Sequence, residues 1–119
     1  MRNRKKLKKH VVMAIMAAKK IFDNNQGDDH TAYAMAQSFG VSRNVLQKAF
    51  KEAYGMGIRD YRLKVRMELS KQLLAEGKDA KEVSITVHYS DPSAFNNAFK
   101  RYYGVTPKEM FDFNKTLNA

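Results

Sequence analysis

The sequence predicts an all-α fold of about seven helices, and three observations carry that prediction. Apolar residues recur at helical spacing, and no segment alternates apolar and polar with period two for long enough to suggest a sheet. Helix caps and glycine stops punctuate the chain at short intervals. A block of residues also repeats: Ala49-Phe50-Lys51-Glu52-Ala53-Tyr54-Gly55 returns as Ala98-Phe99-Lys100-Arg101-Tyr102-Tyr103-Gly104.

The first helix is expected over residues 8–24, with Val11, Val12, Ile15, Ala18 and Phe22 on one face. The apolar run from Val11 to Ala18 behind a basic start mimics a secretory signal, but eight residues fall far short of a membrane span. The run also leads straight into Lys19-Lys20, which favours an amphipathic core helix. Asn24 to Asp29 is a loop by composition. Thr31 is the expected cap of a short second helix, Ala32 to Ser38. Gly40 suits a tight turn, and Ser42 is the expected N-cap of a third helix that Gly55 stops.

A long fourth helix is expected from Ile58 to Glu76, between Gly57 and Gly77. Its apolar positions, Ile58, Tyr61, Leu63, Val65, Met67, Leu69, Leu73 and Leu74, form a broad surface rather than a seam. A fifth helix opens at Asp79 with Glu82 three residues on. Asp91-Pro92 opens a sixth, which Gly104 ends. Thr106-Pro107-Lys108-Glu109 combines a cap, a first-turn proline and a capping-box glutamate, and so starts a seventh.

Composition narrows the functions available. The chain has 119 residues, room for one domain with its own core and a basic tail over residues 1–9. It has no Cys, which excludes thiolate metal sites, cysteine nucleophiles and disulfides. Its three histidines, His10, His30 and His88, stand far apart, and no visible partner would make His88 a metal ligand or a catalytic base. No nucleophile–base pair, glycine-rich phosphate loop or metal cluster is visible, so the sequence predicts no enzyme and no cofactor. The formal net charge is +10, and six of the cations lie in residues 1–9: Arg2, Arg4, Lys5, Lys6, Lys8 and Lys9. Such a tail is a solvated arm or a phosphate-touching one. The other 110 residues carry a net +4, so any nucleic-acid reading must rest on where those charges fall.

The repeat extends beyond that block. Leu46 pairs with Phe95, Gln47 with Asn96 and Lys48 with Asn97; before the turn Ala36 pairs with Ser84 and Gly40 with His88, so the second copy has one extra turn residue. Each copy is a short helix, a turn and a longer helix, the outline of a helix-turn-helix. The repeat could also be no more than a packing solution for helical hairpins, and Leu46, Phe50, Phe95 and Phe99 read as core. The polar residues between them are more informative. In the first copy Arg43, Asn44, Gln47, Lys48 and Lys51 share the face opposite Leu46 and Phe50; in the second, Ser93, Asn96, Asn97 and Lys100 do the same. Side-chain amides can bond adenine in bidentate fashion, and Lys and Arg suit guanine edges or phosphates. Acids are sparse there: residues 42–54 and 91–103 contain only Glu52 and Asp91. Between the copies Arg59, Arg62, Lys64 and Arg66 could touch a nucleic-acid backbone or simply face water.

The segment from Thr31 to Met110 resembles the DNA-binding domain of the AraC/XylS family of bacterial transcription regulators. The second copy carries the resemblance in Asp91, Ser93, Phe95, Phe99, Lys100, Gly104, Thr106 and Pro107. The first carries it in Ala36, Gly40, Ser42, Leu46, Phe50, Lys51 and Gly55, and the linking helix in Tyr61, Arg66 and Leu74. The sequence departs from the family pattern at Ser84, His88, Asn97 and Met110-Phe111.

The resemblance implies two homeodomain-like helix-turn-helix units, about residues 31–55 and 79–104, joined by a linker helix over about 58–76, within a domain spanning 10–119. It implies a sequence-specific regulator of a bipartite site on double-stranded DNA in the bacterial cytoplasm and nucleoid. Asn44, Gln47, Lys48, Ser93, Asn96 and Asn97 would face bases. Arg43, Lys51, Lys100 and Arg101 would lie nearer phosphates. Contact with RNA polymerase is a further implication. Relatives also carry an effector-binding or dimerisation domain, so the sequence is either a small single-domain regulator or the C-terminal part of a longer chain. The rival expectation is a helical interaction module that docks on polymerase or a sensor domain, with only nonspecific affinity for DNA.

Overall fold

The computed structural model describes residues 7–25 and 27–117. Among them are seven α-helices and no strand: α1 (Lys9–Asp23), α2 (Asp29–Ser38), α3 (Arg43–Tyr54), α4 (Ile58–Ala75), α5 (Ala80–Thr86), α6 (Pro92–Tyr103) and α7 (Pro107–Leu117). The cations at positions 2, 4, 5 and 6 of the basic tail lie outside the described residues. The chain divides into two compact units, Met1–Val65 and Arg66–Ala119, and α4 contributes residues to each.

In the first unit α1 packs on both α2 and α3. Val11, Ala14, Ile15, Ala18 and Phe22 form the buried face of α1. Ala14 thus takes the place expected of Val12, which is only half-buried. They meet Ala32 and Ala36 of α2, Leu46, Ala49 and Phe50 of α3, Val41 of the turn and Ile58 of α4. Small alanines on three helices let the backbones approach closely around two large rings. Phe22 and Tyr61 both present near-perpendicular rings to Phe50, at centroid distances of 6.3 and 5.5 Å, an arrangement that the ring quadrupole favours.

A polar cluster ties the first turn of α4 to the end of α1. Tyr61 donates a hydrogen bond to Asp23, which also accepts one from Lys19 at 2.7 Å. Burial pushes the Asp23 carboxyl up, but the bonds from Lys19 and Tyr61 outweigh it and hold it below the usual carboxylate range. The Lys19 ammonium lies 5.7 Å from the centroids of both the Tyr54 and Tyr61 rings.

In the second unit α5 packs on α6 and α7. Met67, Leu74, Val83, Val87, Phe95, Phe99 and Pro107 are fully buried. The ring geometry of the first unit recurs: Phe50 and Tyr54 lie 4.8 Å apart, and so do their repeat counterparts Phe99 and Tyr103. Burial, with help from nearby Tyr102 and Glu68, pushes the Tyr103 phenol up to about 12.

The caps explain the helix boundaries. Ser42 accepts from the Val45 amide, Asp79 from Glu82 and Asp91 from Ser93. Thr106 and Glu109 form a complete capping box, each side chain accepting from the other's amide. The second helix departs from expectation. Its cap is Asp28, not Thr31, so it begins three residues earlier, at Asp29. Thr31 is the partner inside the box, its hydroxyl accepting from the Asp28 amide while its own amide donates to the Asp28 carboxylate. Aspartate and threonine both cap well, and the polar run before α2 offered several choices.

Candidate nucleic-acid interface

Each unit contains a short helix and a longer one joined by the same hydrogen-bonded turn. After α2 the Gly40 amide donates to the Gln37 carbonyl at 2.9 Å and the Val41 amide to Ala36 at 2.9 Å. After α5 the His88 amide donates to Ile85 and the Tyr89 amide to Ser84, both at 3.0 Å. Both turns are Schellman motifs, which need a left-handed residue just past the helix. Gly40 supplies it at φ 76° and His88 at φ 68°. Glycine reaches that region without cost, whereas a Cβ is crowded there. The one extra residue of the second copy sits between turn and helix, so that Asp91 caps α6 where Ser42 caps α3.

The two longer helices are built alike. Each has 12 residues, opens on a side-chain cap and ends on a left-handed glycine, Gly55 or Gly104. Each buries two large residues completely, Leu46 and Phe50 in α3, Phe95 and Phe99 in α6. The opposite faces lie open. On α3, Arg43, Asn44, Gln47, Lys48 and Lys51 are all exposed; on α6, Ser93, Asn96, Asn97, Lys100 and Arg101 are all exposed. All ten residues singled out from the sequence therefore stand on the solvent side of two matching helices, five on each. Of the two acids there, Asp91 is occupied as a cap, its carboxylate accepting from the Ser93 amide at 2.9 Å.

The α3 face has an organiser that sequence reasoning missed. Tyr33 of α2 accepts a hydrogen bond from the Gln47 side-chain amide at 2.8 Å. The Arg43 guanidinium lies over its ring, 4.4 Å from the centroid. Tyr33, Arg43 and Ser42 also line a shallow crevice with His30 and Gln37. A lone tyrosine on a short amphipathic helix reads as core, and only the crossing of α2 and α3 brings it to residues 10 and 14 positions away.

The basic residues of α4 do not all face water. Arg66 is half-buried, with its guanidinium 4.8 Å from the Tyr89 ring centroid inside the second unit. Arg59 is exposed, and Arg62 and Lys64 are half-buried. Among the described residues no group of three or more His, Asp or Glu side chains could hold a metal ion. No described helix is long and apolar enough to cross a membrane.

Comparison with known proteins agrees with this geometry. Residues 35–112 match the family described as "Helix-turn-helix domain". The Msm operon regulatory protein of Streptococcus mutans is 36% identical over 93 residues, covering 77% of this chain and 34% of that protein. A putative AraC-like transcription regulator of Streptomyces antibioticus is 35% identical over 78 residues, covering 65% of this chain and 26% of its own length. The chain thus spans about a third or less of these relatives. Among solved structures, the C-terminal domain of the two-component response regulator yesN from Fusobacterium nucleatum superposes with a TM-score of 0.68 at 26% identity, covering 84% of this chain and 95% of that one. The duplicated turn, the matched helices and these relatives lead to one assignment: the chain belongs to the AraC/XylS family and carries its double helix-turn-helix DNA-binding domain.

Proposed function

We propose that the protein is a sequence-specific transcription regulator that grips a bipartite DNA site, one longer helix of each unit entering a major groove. The observation that carries this reading is the pair of matching helices, each presenting amides and cations on an open face. Asn44, Gln47 and Lys48 would read base edges from α3, and Ser93, Asn96 and Asn97 from α6. Arg43, Lys51, Lys100 and Arg101 would hold phosphates and so fix the register. The helix-turn-helix units are proposed as about residues 31–55 and 79–104, with α4 as their spacer, inside a domain of residues 10–119. Its action is binding rather than catalysis, in the bacterial cytoplasm, with RNA polymerase as the partner that converts binding into regulation.

Selection of preferred duplexes from random DNA tests the proposal. It should return a site with two short determined segments. Inserting about five base pairs between them turns one segment to the far side of the helix, and monomer affinity should fall to the level of random DNA. Undiminished affinity after the insertion would contradict two-groove binding, and a selection without any preferred sequence would favour the interaction-module reading.

A further inference from the structure

We infer that Tyr33 is a positioning residue that sets the base preference of α3 by holding Gln47 and Arg43 in one arrangement; the inference rests on the reading above that α3 faces bases. Gln47 and Arg43 lie one turn apart on the exposed face of α3, and both are long, flexible side chains. Tyr33, half-buried on α2, engages both at once: its hydroxyl accepts from the Gln47 amide at 2.8 Å and its ring lies under the Arg43 guanidinium at 4.4 Å. Tyr33 also packs against the core cluster that α2 closes through Ala32 and Ala36, which anchors its ring while its hydroxyl reaches Gln47.

The chemistry of the two contacts leaves the reading groups available. A primary amide has two N–H donors and a carbonyl acceptor. With one donor taken by Tyr33, Gln47 keeps one donor and its carbonyl, the pair that adenine bonds in the major groove. Arg43 is held as a cation over the ring, a contact that cannot occupy all five of its N–H donors and so leaves donors for a phosphate. Side chains fixed before binding lose less rotamer freedom when the complex forms. A fixed amide also discriminates better, because it cannot swing to satisfy a different base.

The arrangement belongs to one copy of the repeat. At the positions corresponding to Tyr33 and Arg43 the second copy has Lys81 and Pro92. Lysine offers neither a ring nor an acceptor, and proline offers no cation. Asn96, the counterpart of Gln47, shares a crevice with Lys81 instead. The two half-sites should therefore differ in how sharply they are read, and the half-site of α6 serves as an internal control.

The test uses the full chain and selection from randomised duplex DNA with the wild type, Y33F, Q47A and the double variant. Y33F removes the hydroxyl and keeps the ring under Arg43. Q47A should relax one position of the site. Y33F should relax the same position about fivefold, the worth of one neutral hydrogen bond, and leave the α6 half-site unchanged. The double variant should match Q47A, since Tyr33 then has no amide to hold. If Q47A relaxes a position that Y33F leaves as sharp as in the wild type, Tyr33 does not position Gln47, and the reading of α3 stands without it. If Q47A changes no position, Gln47 reads no base and the inference falls with that assignment. Uniform relaxation of both half-sites by Y33F would mark a general structural defect and also overturn it.

Discussion

Ser84 shows what a single buried atom contributes. It occupies the repeat position of Ala36 and is as deeply buried, at 1% exposure against 0%. Its backbone carbonyl serves the Schellman turn as that of Ala36 does. Its hydroxyl, however, finds no hydrogen-bond partner among the described residues. An unsatisfied buried hydroxyl costs about 1–3 kcal/mol, and alanine fits the same place in the other copy. The S84A variant should therefore be more stable than the wild type by about 1 kcal/mol. Equilibrium denaturation would show this as a higher midpoint with an unchanged slope; a lower midpoint would mean that the hydroxyl is bonded in solution. His88, four residues on, shows the reverse economy: a side chain sits where the other copy uses glycine, and the turn forms with the same two hydrogen bonds all the same.

At the scale of the element, the caps separate what sequence can show from what it cannot. Ser42, Asp79, Asp91 and Thr106 all cap the helices expected of them, because a cap is a bond across two or three residues that little outside the segment can alter. Asp28 escaped notice because it lies in a run of polar residues, any of which could have started α2. The exposed faces of α3 and α6 were legible because the large apolar residues of each helix fix its orientation. Tyr33 was not, since its role depends on how two helices cross. The caps also make a pH prediction. The Thr31 amide and hydroxyl hold the Asp28 carboxyl below its ordinary 3.8, and the Thr106 amide and hydroxyl hold that of Glu109 below 4.5. A carboxyl depressed in the folded state adds stability at higher pH, and that stability is lost as pH falls from the unfolded value through the folded one. Both contributions should therefore be complete at neutral pH and disappear below about pH 4. D28N keeps a good cap without the titration. It should match the wild type at pH 7 and lose less stability in acid, read as thermal midpoints against pH. Parallel curves for the two proteins would show that Asp28 does not contribute to the acid loss.

For the molecule as a whole, the distribution of charge separates affinity from specificity. Of the net +10, the first nine residues supply six, and the amides proposed to read bases lie on α3 and α6. Each cation that neutralises a phosphate releases a counterion, so affinity falls with salt at a log–log slope of about 0.9 per contact. Deleting residues 1–6 removes Arg2, Arg4, Lys5 and Lys6 and leaves α1, which begins at Lys9, intact. If all four touch phosphate, the slope should become shallower by about 4; a solvated arm would leave it unchanged. In either case the selected sequence should stay the same, because point charges on the backbone carry no base information. The measurement is binding of the full chain and the truncated one to a selected duplex over a range of salt concentrations, repeated on a scrambled duplex. Whatever its size, the change in affinity on truncation should be the same factor on both duplexes, and the ratio between the two affinities should hold. A ratio that collapses on truncation would move base reading from the two helices to the tail.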